Sequence, residues 1–353
     1  MISRVADSCF WLTRYLERVD TYSRLLDVTS GFSLDVDHAA SGRWKPLIIV
    51  IGQEEDFLER FGEDEAEDGE VVQRYLVWDE ENPFSIMSSM RAVRENARMI
   101  REVITVEMWE AINEFWLWLR SRAAKRLYDR EREAFYQHIC SQCMMFHGTC
   151  YSTMLHDDSY TFIALGRAVG RAGLSARLLD IRHHALGERS PGDRTAVDAA
   201  LWITILRSCA AYEPFVKRKE NVLSGSAVAE FMIFDRSFPR SVLHNLDRVS
   251  DFLRSLHAGN EPGYYSPSGE VLHRLRGSLL QMSIEDVRSK GLHETLTWIV
   301  EQVAVLCDAI HEEFLDPTNE SVRSRLRRQA GTSWFQQQDS AAGRQQQAQT
   351  PSS

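Results

Sequence analysis

A chain of 353 residues, 44% hydrophobic and 26% charged, is long enough to bury a large core in one or two domains. Its formal net charge of −10 argues against nucleic acid as a partner. No apolar run approaches the ~18 residues of a membrane span and no signal-peptide core opens the chain, so the expectation is a cytoplasmic protein with no membrane partner.

Helical periodicity begins at once and predicts a helix over 4–30. Trp11, Leu12, Tyr15, Val19, Tyr22 and Leu26 form one apolar stripe, the core side. Glu17, Asp20, Arg24 and Asp27 lie on the other side at spacings that allow pairing, and Arg14 and Arg18 sit at the stripe's edge. An arginine desolvated there needs a carboxylate, a carbonyl or a bound anion; the alternative is an ion-paired surface whose arginine stems cover the core. Leu47-Ile48-Ile49-Val50-Ile51 reads as a short buried segment. Residues 53–70, with the acidic run Glu63 to Asp68, read as a solvated loop inserted in the helical domain.

After Pro83 one long helix is predicted over 86–127. Arg91, Arg94, Glu95, Arg98, Arg101 and Glu102 cover a charged face. Asn96, Ile100, Val103, Glu107, Glu110 and Glu114 share the opposite stripe, which would aim Asn96 and Glu107 inward. A helix over 130–148 follows. It carries Cys140, Cys143, His147 and Cys150 on one face, with His138 just upstream. Four ligands strung along one helix cannot all reach one tetrahedral ion, because the outer pair would be about 15 Å apart. These read as small buried side chains rather than a metal site, and neither a metal nor another cofactor is expected.

The helix predicted over 159–184 repeats the first one without a gap. Leu12, Arg14, Arg18, Arg24, Leu25, Leu26 and Asp27 are matched by Leu165, Arg167, Arg171, Arg177, Leu178, Leu179 and Asp180. Glu17 and Asp20 become Gly170 and Gly173. A duplicated helical unit follows, with the two helices expected to be adjacent and related by a rough two-fold. Further helices are predicted over 193–217, 226–234, 239–258, 269–289 and 294–315, with a turn-rich connection at 259–268. The Gln/Ser-rich stretch 330–353 is expected to be disordered. The fold class is all-α: a multi-helix bundle over 1–315 with an internal repeat of a charged helix. Arg14, Glu17, Arg18, Arg24, Glu95, Asn96, Arg98, Glu107, Arg167 and Arg171 are the candidate substrate- or anion-binding residues. Of these, Glu17, Arg18, Asn96, Arg98, Glu107 and Arg171 are expected in one interior cluster.

The order of motifs resembles a bacterial family, the alpha-E proteins or DUF403 family, a predicted α-helical domain with a Glu-Arg motif. Here that pair is Glu17-Arg18. The resemblance runs through Asn82-Pro83, Ser88-Ser89, Arg94 to Arg98, Arg101-Glu102, Glu107 to Glu110 and Asn113. It continues in Thr153 to Asp158, Leu165-Gly166-Arg167, Leu206 to Ser208 and Phe238-Pro239-Arg240-Ser241-Val242. The family's second repeat usually carries its own Glu-Arg, which reads Gly170-Arg171 here. Members look like companions of circularly permuted ATP-grasp ligases and transglutaminase-like proteins, encoded beside them or fused to them. The resemblance therefore implies a non-catalytic or accessory substrate-binding component of a peptide- or amide-bond-forming system, handling a small carboxylate, amine or peptide. The alternative is a helical enzyme using Glu17 and Glu107 as acid and base, with arginines binding the anion.

Overall fold

A computed structural model describes residues 3–35, 44–186, 194–218, 223–258 and 266–316. The expected 330–353 tail and most of the 259–268 connection lie outside the described residues. Those residues form sixteen α-helices and no strand. The first half contains α1 (Ser3–Asp35), α2 (Lys45–Val50), α3 (Glu54–Phe61), α4 (Gly69–Val77), α5 (Ile86–Met99), α6 (Val106–Leu119), α7 (Arg122–Arg130) and α8 (Arg132–Thr153). The second half contains α9 (Asp158–Leu186), α10 (Arg194–Ser208), α11 (Tyr212–Lys217), α12 (Gly225–Phe234), α13 (Val242–His257), α14 (Pro267–Gln281), α15 (Ile284–Lys290) and α16 (Leu292–Ile310).

Side-chain caps explain where the long predicted helices break. The 86–127 helix is three helices. α5 stops at Ile100, and the Thr105 hydroxyl then accepts the Met108 N–H to start α6. Ser121 caps the Ala124 N–H to start α7. The 269–289 helix splits at a capping box in which Ser283 and Asp286 satisfy each other's backbone N–H groups. The 239–258 helix starts later, at Val242, because Ser241 caps the His244 N–H. The acidic 53–70 stretch is not a plain loop. Fully buried Phe57 and Ala66 fold it into α3 and a short 3-10 turn, and Asp68 caps α4.

The two central helices, α1 and α9, lie side by side in parallel. Thr13 donates its hydroxyl proton to the Ile163 carbonyl at 2.6 Å. Gly166 lies so close to α1 that a Cβ there would fall 2.1 Å from the Phe10 carbonyl oxygen and 2.8 Å from the Thr13 hydroxyl. A Cβ on Gly170 would sit 3.6 Å from that of Glu17. Thr13 and Gly166 are equivalent in the sequence repeat, as are Glu17 and Gly170. Equivalent residues thus face each other across the seam, as a rough two-fold requires.

The duplication extends through the whole described fold. α5, α8 and α10 pack on α1; α13, α16 and α2 pack on α9 in the same roles. α6 bridges α5 and α8 as α14 bridges α13 and α16. Local details repeat as well. Gly69 packs on the Trp44 indole and Gly225 on that of Trp202. The turns after α2 and α10 share one hydrogen-bond pattern and a positive φ, 73° at Gly52 and 48° at Ala210. Because α2 crosses to α9 and α10 crosses to α1, the halves are interlocked around one core rather than set side by side.

Candidate functional site

This interlocking buries α1 on nearly every side, so its polar face is enclosed too: Glu17 is 0% exposed and Asp20 is 3% exposed. Burial of that kind demands charge compensation, and most of it comes from the other half. Arg171 of α9 donates Nε–H to Glu17 Oε2 at 3.0 Å and places Nη2 2.8 Å from Oε1 as an ion-pair contact. Arg240, in the turn before α13, donates to Asp20 Oδ2 at 2.5 Å and lies 3.9 Å from Glu17. Arg24 closes the chain on Asp20 at 3.1 Å. His147 of α8 places Nε2 3.0 Å from Glu17 Oε1, within ion-pair reach but out of line for a good hydrogen bond.

The electrostatics follow from that packing. Burial alone would raise the Glu17 carboxyl, but Arg171, with His147 and Arg240, holds it well below the ordinary range. Burial lowers the His147 imidazole, and Glu17 opposes that shift. Burial also works against the Arg240 guanidinium, yet Asp20 and Glu17 raise it above its usual value. Arg167 is lowered by burial and by its neighbour Arg171. Among the described residues Arg24, Arg167, Arg171 and Arg240 gather around Glu17 and Asp20, with Asp27 also facing Arg24, so positive charge is in surplus. Arg171 and Arg240 also line a cleft of about 630 Å³ with Lys217, Arg218 and Phe238.

The two-fold counterpart of this site is stripped of acids. Gly170 and Gly173 stand where Glu17 and Asp20 would be, Cys307 where His147 is, and Phe84 where Arg240 is. Arg18, the counterpart of Arg171, stacks on Phe84 and Tyr15 with its guanidinium 4.6 and 5.4 Å from the ring centroids. It has no carboxylate partner among the described residues. Burial lowers it, with Arg14 and Arg177 adding to the effect while Tyr22 and Tyr15 oppose it. Arg14 lies over the Phe10 and Trp11 rings, and its buried Nη1 has no hydrogen-bond acceptor. Arg177 donates to the Val50 carbonyl at 3.2 Å.

Of the cluster expected from sequence, only Glu17 and Arg171 meet. Arg18 faces the opposite half-site, because neighbours on a helix point about 100° apart. Asn96 is half-buried and bonds back to the Ala92 carbonyl at 2.8 Å. Arg98 is exposed and pairs with Glu95 at 2.7 Å. Glu107 is exposed in the first turn of α6, since the break at Ile100 resets the stripe that would have aimed it inward. Arg24 and Arg167 do join the Glu17 network, and Arg14 belongs to the stripped half-site.

Sequence reasoning misses His147, Arg240 and Asp20 as members of the site. Arg240 stood in the Phe238 to Val242 motif without a role, and His147 was read together with its neighbouring cysteines. Cys140, Cys143 and Cys150 are free and buried. Burial pushes the Cys140 thiol up to about 12, and His147 is engaged by Glu17 instead.

A larger cleft, about 1220 Å³, lies near the C-terminal end of α1 beside Asp27, Gln73, Arg132 and Glu133. Burial and Glu133 push the Asp27 carboxyl up to about 6. Arg132 there is already paired with Glu70 and Arg207 lies exposed over the Tyr212 ring, while Asp27, Asp68, Glu70, Glu131 and Glu133 line the same cleft, so the smaller, cation-rich cleft is the better candidate for an anion.

The chain is thus a duplicated helical bundle with one Glu–Arg pair, Glu17 to Arg171, crossing the seam between its copies. The chain belongs to the Alpha-E family, "a predicted alpha-helical domain with a conserved ER motif", whose model matches residues 1–315. Over 321 residues it is 25% identical to the uncharacterized protein Rv2567 of Mycobacterium tuberculosis and to the uncharacterized protein Mb2597 of Mycobacterium bovis. These matches cover 83% of this chain and 34% of each relative, so the chain spans about a third of the length of the curated relatives it matches. No solved structure matches. No helix among the described residues is long and apolar enough to cross a membrane.

Proposed function

We propose that this protein is a substrate-binding, non-catalytic component of a bacterial peptide- or amide-bond-forming system. It would act with a circularly permuted ATP-grasp ligase and a transglutaminase-like protein, in the cytoplasm. The partnership rests on the family resemblance. The binding role rests on one observation: arginines outnumber carboxylates in the enclosed network, and two of them, Arg171 and Arg240, line an open cleft with Lys217 and Arg218. Guanidinium groups held in place by carboxylates are pre-organised to take a carboxylate or phosphate group bidentately. A peptide C-terminus and an acyl phosphate both carry such a group. The acid–base alternative loses support, because Glu17 is enclosed and ion-paired while Glu107 is exposed.

The test reconstitutes product formation with the ATP-grasp partner, with and without this protein. Wild type should raise the yield. Lys217→Glu changes an exposed residue at the cleft, so it should leave thermal unfolding unchanged while lowering the stimulation by about tenfold, equivalent to roughly 1.4 kcal/mol of binding. Equal product with and without the protein would refute the reading.

A further inference from the structure

Away from the Glu17 network, the second half brings three metal-ligating side chains to one point. Asp180 and His184 are one turn apart on α9 and share a face. His293 comes from the first turn of α16, where Gly291 at φ 98° redirects the chain out of α15. His293 Nδ1 lies 2.8 and 3.0 Å from the two Asp180 oxygens, and His184 Nε2 lies 3.2 Å from Oδ2. One donor atom from each residue falls within 4.8 Å of the others. The His183 ring lies flat on that of His293, with centroids 3.9 Å apart and planes inclined by 6°. A cleft of about 250 Å³, lined by Asp180, His183, His293 and Glu294, opens beside the group.

We propose that Asp180, His184 and His293 form a binding site for a divalent first-row transition metal of the zinc type. Two imidazole nitrogens and a carboxylate oxygen are ligands of the right kind, at metal–ligand distances of roughly 2.0–2.2 Å. A tetrahedral ion at that distance spaces its ligand atoms about 3.3 Å apart, close to the separations already present. In the metal-free arrangement the carboxylate accepts a hydrogen bond from each imidazole. A metal takes the place of those two protons, and each ligating ring, neutral once bound, carries its remaining proton on the other nitrogen. Three protein ligands leave a fourth position for water or an exogenous donor, and the cleft gives that position access to solvent. His183 is a positioning residue, its stack fixing the plane of the His293 ring.

The other half supplies an internal comparison. The counterparts of Asp180, His184 and His293 are Asp27, Gly31 and Glu133. The same scaffold there offers carboxylates and no imidazole, a poorer set for a borderline cation. The signal in the sequence is the Asp180/His184 spacing of one helical turn; the third ligand is far away in the chain and invisible without the fold.

Titration of the chelator-stripped full chain with zinc chloride, by calorimetry and thermal unfolding, tests the site. One equivalent should bind and raise the melting temperature. His184→Ala and His293→Ala should each weaken binding by about 100-fold. Cobalt(II) should give weak visible bands of nitrogen–oxygen coordination. His184 is half-buried near the end of α9, so its variant should fold, which far-ultraviolet circular dichroism checks. Absence of saturable binding would overturn the proposal. So would binding undiminished in both variants, or intense thiolate-to-cobalt charge transfer that moved the ion to the cysteines of α8.

Discussion

Glu17 and Gly170 occupy equivalent places in the two halves, and everything around them differs in step. Where the carboxylate is present, Arg171, Arg240 and His147 gather on it. Where it is absent, the positions of Arg240 and His147 hold Phe84 and Cys307, and Arg18 alone survives, stacked on aromatic rings. A buried ion pair is lost cheaply only when its partners are removed with it. The exception teaches most: Arg18 and its neighbours Arg14 and Arg177 keep their charge without an acid beside them. The Glu-Arg motif is therefore not a pair of partners in sequence. Glu17 serves one half-site, where its arginine partners Arg171 and Arg240 come from the opposite copy, and Arg18 serves the other, stacked on Tyr15 and Phe84 of its own copy.

The comparison breaks most visibly in stability. Glu17→Gln should cost about 3–5 kcal/mol, because Arg171 loses its buried counter-charge while Arg240 keeps only Asp20. Arg18→Gln should change stability by no more than about 1 kcal/mol, the scale of its aromatic contacts. Chemical denaturation of both variants measures this directly. The pH dependence gives a second reading. The Glu17 pKa is depressed in the folded state, so its stabilisation is complete above its ordinary value of 4.5. It is lost as pH falls through the lower folded value. Below pH 4.5, Glu17→Gln should therefore lose stability less steeply than wild type.

The seam itself comes next. Gly166→Ala would drive a methyl group against the Phe10 carbonyl and should cost about 1–3 kcal/mol or more, as overpacking does. Gly170→Ala, with only ordinary contacts to Glu17 and Arg14, should be tolerated. Thermal unfolding of the two variants tells a close helix contact from a loose one.

The smallest effect belongs to Asp27, whose pKa is raised from 3.8 to about 6. A raised acid favours the fold below its unfolded value and disfavours it once pH passes the folded value. Asp27→Asn should therefore be more stable than wild type at pH 8, by about 1 kcal/mol after solvent screening. The advantage should fade as pH falls from 6 to 3.8. Melting temperatures across that range check it.

Much of this was legible in the sequence, because periodicity and the ungapped repeat are local signals. The all-α class, the two charged helices and their adjacency follow from residues such as Leu12/Leu165 and Arg14/Arg167. Helix breaks were harder. Thr105 and Ser121 end an apparent 42-residue pattern (86 to 127) through single hydroxyl caps that leave the hydrophobic rhythm nearly intact. The candidate site was half readable. Glu17 and Arg171 stand out, but Arg240, in the turn before α13, and His147, on α8, reach Glu17 only through the packing of the folded chain. Glu107 was misplaced because its inward aim depended on a helix continuous through Ile100.

A double-mutant cycle tests the crosswise pairing most directly. Glu17→Gln is combined once with Arg171→Gln and once with Arg18→Gln, and each coupling energy is measured by denaturation. The pairing across the seam predicts a coupling of about 1–3 kcal/mol between Glu17 and Arg171 and close to zero between the sequence neighbours Glu17 and Arg18. A larger coupling to Arg18 than to Arg171 would contradict it.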